Sequence, residues 1–364
     1  MRTRVWDDYK MDNLASRITK WYVENKRMLP WREDRNPYHV WISEIMLQQT
    51  RIEAVLSYYK RFMVELPTIQ DLAIVSEDKL LKLWEGLGYY NRARNLKKAA
   101  IMVMEKYHGK FPSTYEEILS LPGIGEYTAS AISSICFSLP EVTIDGNVLR
   151  VYTRIYEDSC VIDLEKEKRR IRNTLMKIVP SCSGDFNEGL MELGETICIP
   201  GGIPKCDLCP LYSLCLSRRH GTSLKYPVRL EKKEKKIEHY TVFIFYYQNY
   251  FLLEKRVDTG LLHGLWQFPN ISGVISKEEV ERYCKNLNIY PLQVEKGVSY
   301  THIFTHRKWV MNSYYIEISS KDKDKLSGVF VTEEERNEDY SLPGAFQPFQ
   351  KDFLERRGNE NSSY

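Results

Sequence analysis

"LPGIGEYTA", residues 121–129, sets two glycines two positions apart at the mouth of a segment with helical periodicity. Glycine has no Cβ and tolerates positive φ, so the chain can turn sharply here, just where the first amides of the next helix lack partners. Such a turn suits an anion, because free N–H groups and the positive end of the helix dipole converge on it. A plain inter-helix turn uses the same residues, so the surroundings have to decide. Outward from this stretch, residues 10–217 read as helix after helix. Apolar residues recur at helical spacing in "LASRITKWYV", "WISEIMLQQTRIEAVLSYYKRFM", "EDKLLKLWEGL" and "RARNLKKAAIMVMEKY". Pro30, Pro37, Pro67, Pro112 and Pro122 punctuate them, and Asp71, Ser76 and Ser113 are placed to cap. Further on the texture changes. "HYTVFIFYYQNYFLLEKRV" and "WVMNSYYIEI" are β-branched and aromatic, with Gln248-Asn249 as a hairpin turn and "SKEEVERYCKNL" as a helix.

A chain of 364 residues has room for two domains. The pattern predicts a helical domain over 1–217, a basic linker over 218–238 and a smaller α+β domain over 239–364. Net charge is only +3, yet from Arg218 to Lys236 eight Lys or Arg face only Glu231 and Glu234. Such a run is a solvated linker or a segment lying near phosphate. The start, Met-Arg-Thr-Arg-Val-Trp-Asp-Asp, has no apolar signal region, and no run reaches the length of a membrane span. A cytoplasmic protein with reduced thiols is the expectation. Four of the eight cysteines crowd into "CIPGGIPKCDLCPLYSLC", where Cys198, Cys206, Cys209 and Cys215 read C-x7-C-x2-C-x5-C. Four thiolates suit Zn²⁺ or a [4Fe–4S] cluster, and spacing alone does not separate them. Cys136, Cys160, Cys182 and Cys284 are expected to be buried, inert thiols.

Several motifs then coincide. "LPWR" at 29–32, "WISEIMLQQT" at 41–50, "GLGYYNRARNL" at 86–96, the glycine turn, "TIDGNVLRV" at 143–151, "FNEGLMELG" at 186–194 and the cysteine loop stand in one order. Together they resemble the adenine DNA glycosylases of the MutY type, within the helix-hairpin-helix glycosylase superfamily. The resemblance spans about residues 25–217, and a weaker likeness to a Nudix or MutT-like domain continues to about 350. It implies a mainly α glycosylase fold with a helix-hairpin-helix over about 118–133 and an iron–sulfur loop over 198–215. It also implies a monomer, located with the nucleoid through DNA, acting on duplexes that carry adenine opposite 8-oxoguanine or guanine.

By that resemblance Gly123 and Gly125 form the hairpin whose amides grip a DNA phosphate, a contact that positions without reading sequence. Glu44 becomes the general acid that protonates N7 of a flipped adenine; its apolar neighbours Ile45, Met46 and Leu47 would desolvate it and raise its pKa. Asp145 of the D-G-N motif would stabilise the oxocarbenium-like sugar, and it is also a natural helix cap. Asn147 would bond nearby. Tyr127 stands where the related glycosylase/lyases carry a lysine; a phenol forms no Schiff base, so water would finish the reaction. Glu188 would contact the adenine, with Arg27, Trp31 and Arg32 around the pocket and the DNA backbone. Gln48, Gln49 and Tyr89 would fill the gap left by flipping, which costs a few kcal/mol of stacking.

The resemblance selects [4Fe–4S] for Cys198, Cys206, Cys209 and Cys215, with one departure: the first spacing is seven residues where the family has six, and Gly201-Gly202 stand beside the extra one. "TGLLHGLWQFPN" at 259–270 is Nudix-like, but "KEEVERYCKNLNI" lacks the R-E-x-x-E-E metal-binding arrangement. The second domain is therefore expected to read the lesion, not hydrolyse nucleotides. Phe304, Thr305 and His306 fall where the family has F-S-H, the loop contacting 8-oxoguanine; Thr305 keeps the hydroxyl. The competing functions are an endonuclease III-like glycosylase/lyase on oxidised pyrimidines, opposed by Tyr127 and the second domain, and a non-enzymatic cluster-containing DNA-binding protein, opposed by Glu44 with Asp145.

Overall fold

The computed structural model describes residues 7–231, 234–256 and 259–361, which form two compact units. One takes Met1–Ile74 and Asn95–Glu231, the other Val75–Arg94 and Lys232–Tyr364. Lys232 and Lys233 of the basic stretch lie outside the described residues. Nothing in the sequence marks 75–94 as part of the second unit.

The first unit is helical. Its elements run α1 (Asp7–Asn25), α2 (Pro37–Leu47), α3 (Ile52–Glu65) and α4 (Ile69–Ile74). After α5 (Glu77–Leu83) of the other unit come α6 (Asn91–Tyr107), α7 (Tyr115–Leu119), α8 (Glu126–Phe137) and α9 (Gly146–Tyr156). Then follow α10 (Glu165–Leu175), α11 (Ser183–Thr196) and α12 (Leu216–Arg219). Helix α11 is the spine, packed on α1, α8 and α9. Three glycines let it approach. A Cβ on Gly184 would stand 2.9 Å from Ile135 Cα, one on Gly189 2.7 Å from Ile18 Cγ2, and one on Gly194 2.5 Å from Asn147 Cβ. Ile18, Val148, Phe186, Leu190 and Leu193 are buried around it, each contributing about 1.5–3 kcal/mol of hydrophobic stabilisation.

Capping follows the sequence at Ser76, which accepts from the Lys79 amide at 3.2 Å. It departs elsewhere. Asp71 lies inside α4, exchanging bonds with Thr68, which is the cap: Thr68 N donates to Asp71 Oδ2 at 3.1 Å and Asp71 N to Thr68 Oγ1 at 3.2 Å. The cap of α7 is Thr114, not Ser113, because only Thr114 stands three residues before Glu117 and can trade bonds with it. Nor is 218–230 a free linker. Ile162 N donates to Val228 O at 3.1 Å, Leu230 N to Asp163 Oδ2 at 2.8 Å and Arg154 Nε to Tyr226 O at 3.1 Å, so the chain stays docked on the helical unit as far as Leu230. Of the scattered cysteines Cys284 is buried, Cys136 and Cys160 are partly so, and Cys182 is exposed. Cys182 falls outside the expected core because it caps α11, before the packed part of that helix begins.

In the second unit β1 (Lys236–Tyr247) and β2 (Tyr250–Lys255) form the expected hairpin across Gln248-Asn249, with Tyr247 opposite Tyr250 and Gln248 at φ 51°. Short strands β3 (Trp266–Gln267) and β4 (Asn270–Ser272) precede α13 (Lys277–Asn286), and β5 (Gln293–Lys296), β6 (Tyr300–Ile303), β7 (Arg307–Glu317) and β8 (Val329–Val331) complete a mixed sheet. Its centre is the parallel pair β1–β7. Val242, Ile244 and Tyr246 face one apolar layer, with Phe349 and Phe353 of α15 (Gln347–Asn361); Phe243 and Phe245 face the other, with Val280 and Cys284 of α13. Burial on both faces explains why β1 reads as a continuous apolar run instead of alternating. Helix α14 (Glu333–Asp339) packs on α5. Among the described residues no helix is long and apolar enough to cross a membrane.

Candidate active site

A cavity of about 620 Å³ in the helical unit is lined by Trp31, Arg32, Glu44, Gln49, Tyr127, Asp145, Asn147 and Glu188, with Arg27, Met191, Glu192 and Glu195. Glu44 comes from α2, which Asn36 caps by accepting from the Tyr38 amide and which Pro37 starts. The helix is buried almost throughout, Glu44 included. One of its carboxylate oxygens, Oε2, is enclosed without a hydrogen-bond partner. Burial pushes the Glu44 carboxyl up to about 7, helped by the charges of Glu188 and Asp145 and opposed by the Tyr127 hydroxyl and Arg32.

Asp145 lives differently. It is the N-cap of α9, taking the Val148 amide at 2.7 Å on Oδ1 and Asn147 Nδ2 at 2.7 Å on Oδ2. Burial raises its pKa, while those two donors pull it back. The partners differ: an orphaned oxygen favours the protonated acid at Glu44, and two donors favour the carboxylate at Asp145. Tyr127, in the first turn of α8, keeps its phenolic proton, because burial and the charges of Glu44 and Asp145 raise its pKa well above normal. Its hydroxyl is 3.4 Å from Met191 Sδ.

The opposite wall is a charged ladder. Arg32 donates to Glu188 Oε1 and Glu192 Oε2, both at 3.0 Å, and Arg27 pairs with Glu192 and Glu195. Glu188 is buried, its pKa raised by burial and restrained by Arg32. Both arginines line the cavity, as the sequence places them, and each is paired with carboxylates of α11. Trp31 is buried edge-on to Tyr59 at 5.1 Å. The sequence reading missed Met191, Glu192 and Glu195, although Glu188, Glu192 and Glu195 at i, i+4 and i+7 mark one helical face of α11. It also missed Arg150, which donates to Asn147 Oδ1 at 2.7 Å, Gly194 O at 2.8 Å and Cys198 O at 2.8 Å.

The hairpin turn is as drawn from the sequence at Gly123, with φ 79° and a would-be Cβ 2.5 Å from Asn95 Cβ. Gly125 differs: its backbone is extended and its Cβ direction is open. It is the N-cap of α8, and no side chain accepts from the first amides of that helix. Leu121 and Ile124 are buried and anchor the turn. Gln48 Nε2 reaches Thr128 Oγ1 at 3.4 Å, and Gln49 holds a left-handed φ of 60° at the cavity rim. Such a backbone is uncommon outside glycine and clusters at functional positions.

Tyr89 belongs to the second unit, at φ 48° in the turn after α5 and half exposed. Its hydroxyl meets Thr305 Oγ1 at 2.6 Å. Thr305 sits in the three-residue loop joining β6 to β7, closed by Phe304 N to Arg307 O at 2.8 Å. Phe304 packs edge-on to Trp309 at 4.8 Å and His302 at 4.5 Å; Thr305 and His306 are exposed. In α13, Glu279 is used to box the cap at Ser276, and Glu278 lies in the same first turn.

Cys198, Cys206, Cys209 and Cys215 line one small cavity with Arg154. Arg154 donates to Cys198 Sγ at 3.2 Å. Burial and the neighbouring sulfurs push Cys206 up, and Cys209 to about 12. Four cysteine sulfurs around one cavity are the donor set an iron–sulfur cluster would take as thiolates. Among the described residues no group of three or more His, Cys, Asp or Glu is placed to hold a metal ion. Gly201 and Gly202 have open space around them, with Gly202 at φ 79°.

Residues 42–181 match the HhH-GPD superfamily base excision DNA repair protein family and residues 240–351 the NUDIX domain. An adenine DNA glycosylase of Buchnera aphidicola subsp. Acyrthosiphon pisum (strain APS) is 37% identical over 291 residues, covering 79% of this chain and 82% of that protein. This chain belongs to the adenine DNA glycosylase family. The adenine DNA glycosylase of Mus musculus is 33% identical over 364 residues, covering 83% of this chain and 70% of the relative. Among solved structures, a thermostable thymine-DNA glycosylase overlays with a TM-score of 0.54 at 31% identity, over 58% of this chain and 98% of that one. The adenine DNA glycosylase reaction is hydrolysis of an N-glycosyl bond in base excision repair.

Proposed function

We propose that this adenine DNA glycosylase removes adenine opposite 8-oxoguanine, and opposite guanine, by acid-assisted hydrolysis that leaves the strand intact. The observation that carries the reading is a buried carboxyl, Glu44, and a half-buried one, Asp145, on one cavity with opposite partner sets. Protonated Glu44 gives its proton to N7 of the extruded adenine, so the base leaves as a neutral molecule when the bond to the sugar breaks. The Asp145 carboxylate, steadied by Val148 N and Asn147, faces the cationic sugar that results. Water adds to that carbon and loses its proton. Tyr127 donates or accepts a hydrogen bond there but offers no amine, so no Schiff base forms. Glu188, oriented by Arg32, is placed to contact the adenine edge.

The open amides at the start of α8 are assigned to a DNA phosphate, with Gln48 and Gln49 entering the emptied stack. Tyr89 with the Phe304–Thr305–His306 loop is assigned to the base opposite. Cys198, Cys206, Cys209 and Cys215 are assigned to a [4Fe–4S] cluster, which would supply cross-linking of the loop. Purified under anaerobic conditions, the protein is expected to carry about four irons per chain; stoichiometric zinc without iron contradicts the assignment. The deciding test of the activity is base release from duplexes holding adenine opposite 8-oxoguanine, guanine, cytosine or thymine. Release is expected from the first two, fastest from the first; equal release from all four removes the specificity proposed here.

A further inference from the structure

The turn that presents Tyr89 begins at Glu85, directly after α5. The Glu85 carboxylate accepts from Lys82 Nζ at 2.7 Å, from the Arg336 guanidinium, from the Leu342 amide at 3.2 Å and from Gln347 Nε2 at 3.3 Å. These donors come from α5, from α14 and from the segment entering α15. Lys82 Nζ goes on to the carbonyls of Arg336 at 3.1 Å and Tyr340 at 3.3 Å. The Glu85 and Arg336 side chains are only 11% and 8% exposed, so this pair has lost most of its water.

Past Glu85 the chain doubles back through Gly86 at φ 100° and Gly88 at φ 68°, then Tyr89 at φ 48°. Trp84 Nε1 holds Gly88 O at 3.1 Å, and Arg92 holds the carbonyls of Leu87 at 2.9 Å and Gly88 at 3.1 Å. These bonds shape the turn internally, and Glu85 joins its root to α14 and the segment entering α15. A left-handed tyrosine costs of order 1–3 kcal/mol and persists only where its surroundings hold it. A buried ion pair with its remaining lone pairs filled is a rigid anchor, and removing one partner strands the other charge away from water.

Resting on the assignment of Tyr89 and Thr305 to the base opposite adenine, we propose that Glu85 is a positioning residue for lesion discrimination. It fixes the root of the turn through Arg336, so that the Tyr89 hydroxyl stays within bonding reach of Thr305. Glu85 touches neither the adenine cavity nor the DNA.

The test compares single-turnover base release from 8-oxoguanine:adenine and guanine:adenine duplexes for the full chain. Glu85→Gln and Arg336→Met are expected each to lower the ratio of the two rates about fivefold, the worth of one hydrogen bond, with the guanine:adenine rate unchanged. Thr305→Val serves as the reference, and Glu85→Gln combined with Thr305→Val is expected to be no worse than Thr305→Val alone, because both act on one contact. Additive losses in the double variant, or equal slowing on both duplexes, overturn the positioning role. A ratio unchanged by both Glu85→Gln and Arg336→Met, with Thr305→Val lowering it, also overturns that role but keeps the Tyr89–Thr305 assignment. If Thr305→Val and Tyr89→Phe leave the ratio intact, the assignment itself fails and takes the inference with it.

Discussion

The Glu44 cavity and the Tyr89–Thr305 contact are built on opposite principles. Glu44 is buried along with Trp31, Glu188 and Glu192, and charges are paired across the wall before any substrate arrives. Tyr89 and Thr305 are exposed, Tyr89 on a left-handed backbone. A dry site shifts protonation equilibria, which acid catalysis needs. A wet site only tells one base from another by a few hydrogen bonds, each worth about 1 kcal/mol net. Bond breaking is thus sensitive to single atoms in the cavity, and discrimination is a smaller, graded quantity.

The largest effect is expected at the two carboxylates. Glu44→Gln and Asp145→Asn keep shape and are expected to slow base release by about 10²–10⁴-fold, with binding of the mispair retained in gel-shift titrations. Parallel loss of binding breaks the contrast, since the carboxylates would then be structural. Tyr127→Phe addresses the same cavity more mildly: borohydride is expected to trap no protein–DNA adduct with the native chain, and a stoichiometric adduct defeats the hydrolytic route.

pH sharpens the comparison next. With the Glu44 carboxyl near 7, the acid form is lost as pH rises through that value, so base release is expected to fall toward tenfold per unit above it. The sign for stability is the same. A carboxyl raised in the folded state binds more protons folded than unfolded between about pH 4.5 and 7, so stability falls as pH climbs through that window. Glu44→Gln is expected to flatten both the rate profile and that part of the unfolding curve. The ratio of 8-oxoguanine:adenine to guanine:adenine release is expected to stay level over the same range, because the Glu44 acid step is common to both duplexes and cancels in the ratio. The smallest effect is at Thr305→Val, about fivefold in that ratio; a loss as large as that of Glu44→Gln collapses the distinction between the two regions.

Much of this was legible in the residues. The glycine turn, the apolar bed of Glu44, the capping signal at Asp145 and the four-cysteine loop are local patterns, and local patterns carry their chemistry with them. What escaped was long-range pairing. The sequence places Arg27 and Arg32 at the pocket, but their pairing with Glu188 and Glu192 was not legible because those partners stand some 160 residues away on α11. The docking of 220–230 was hidden for the same reason, since Val228 finds Val161 only once the helices are packed. The place of 75–94 in the second unit shows only in such long-range pairs, among them Glu85 with Arg336, 251 residues on.

Helix α11 behaves as a gauge whose calibration marks are missing atoms. Five residues are not a whole number of turns, so Gly184, Gly189 and Gly194 look toward three different neighbours, and the wall bearing Glu188 is spaced from each by hydrogen alone. A methyl at 194 would be a wedge driven against Asn147, and it would open the distance between the Glu188 wall and the Asp145 cap without replacing any lining side chain. Active-site dimensions in this chain are therefore inherited at positions that line nothing. A lineage could retune the pocket there with one substitution, and Gly194→Ala is the variant in which an untouched set of catalytic groups would be found out of register.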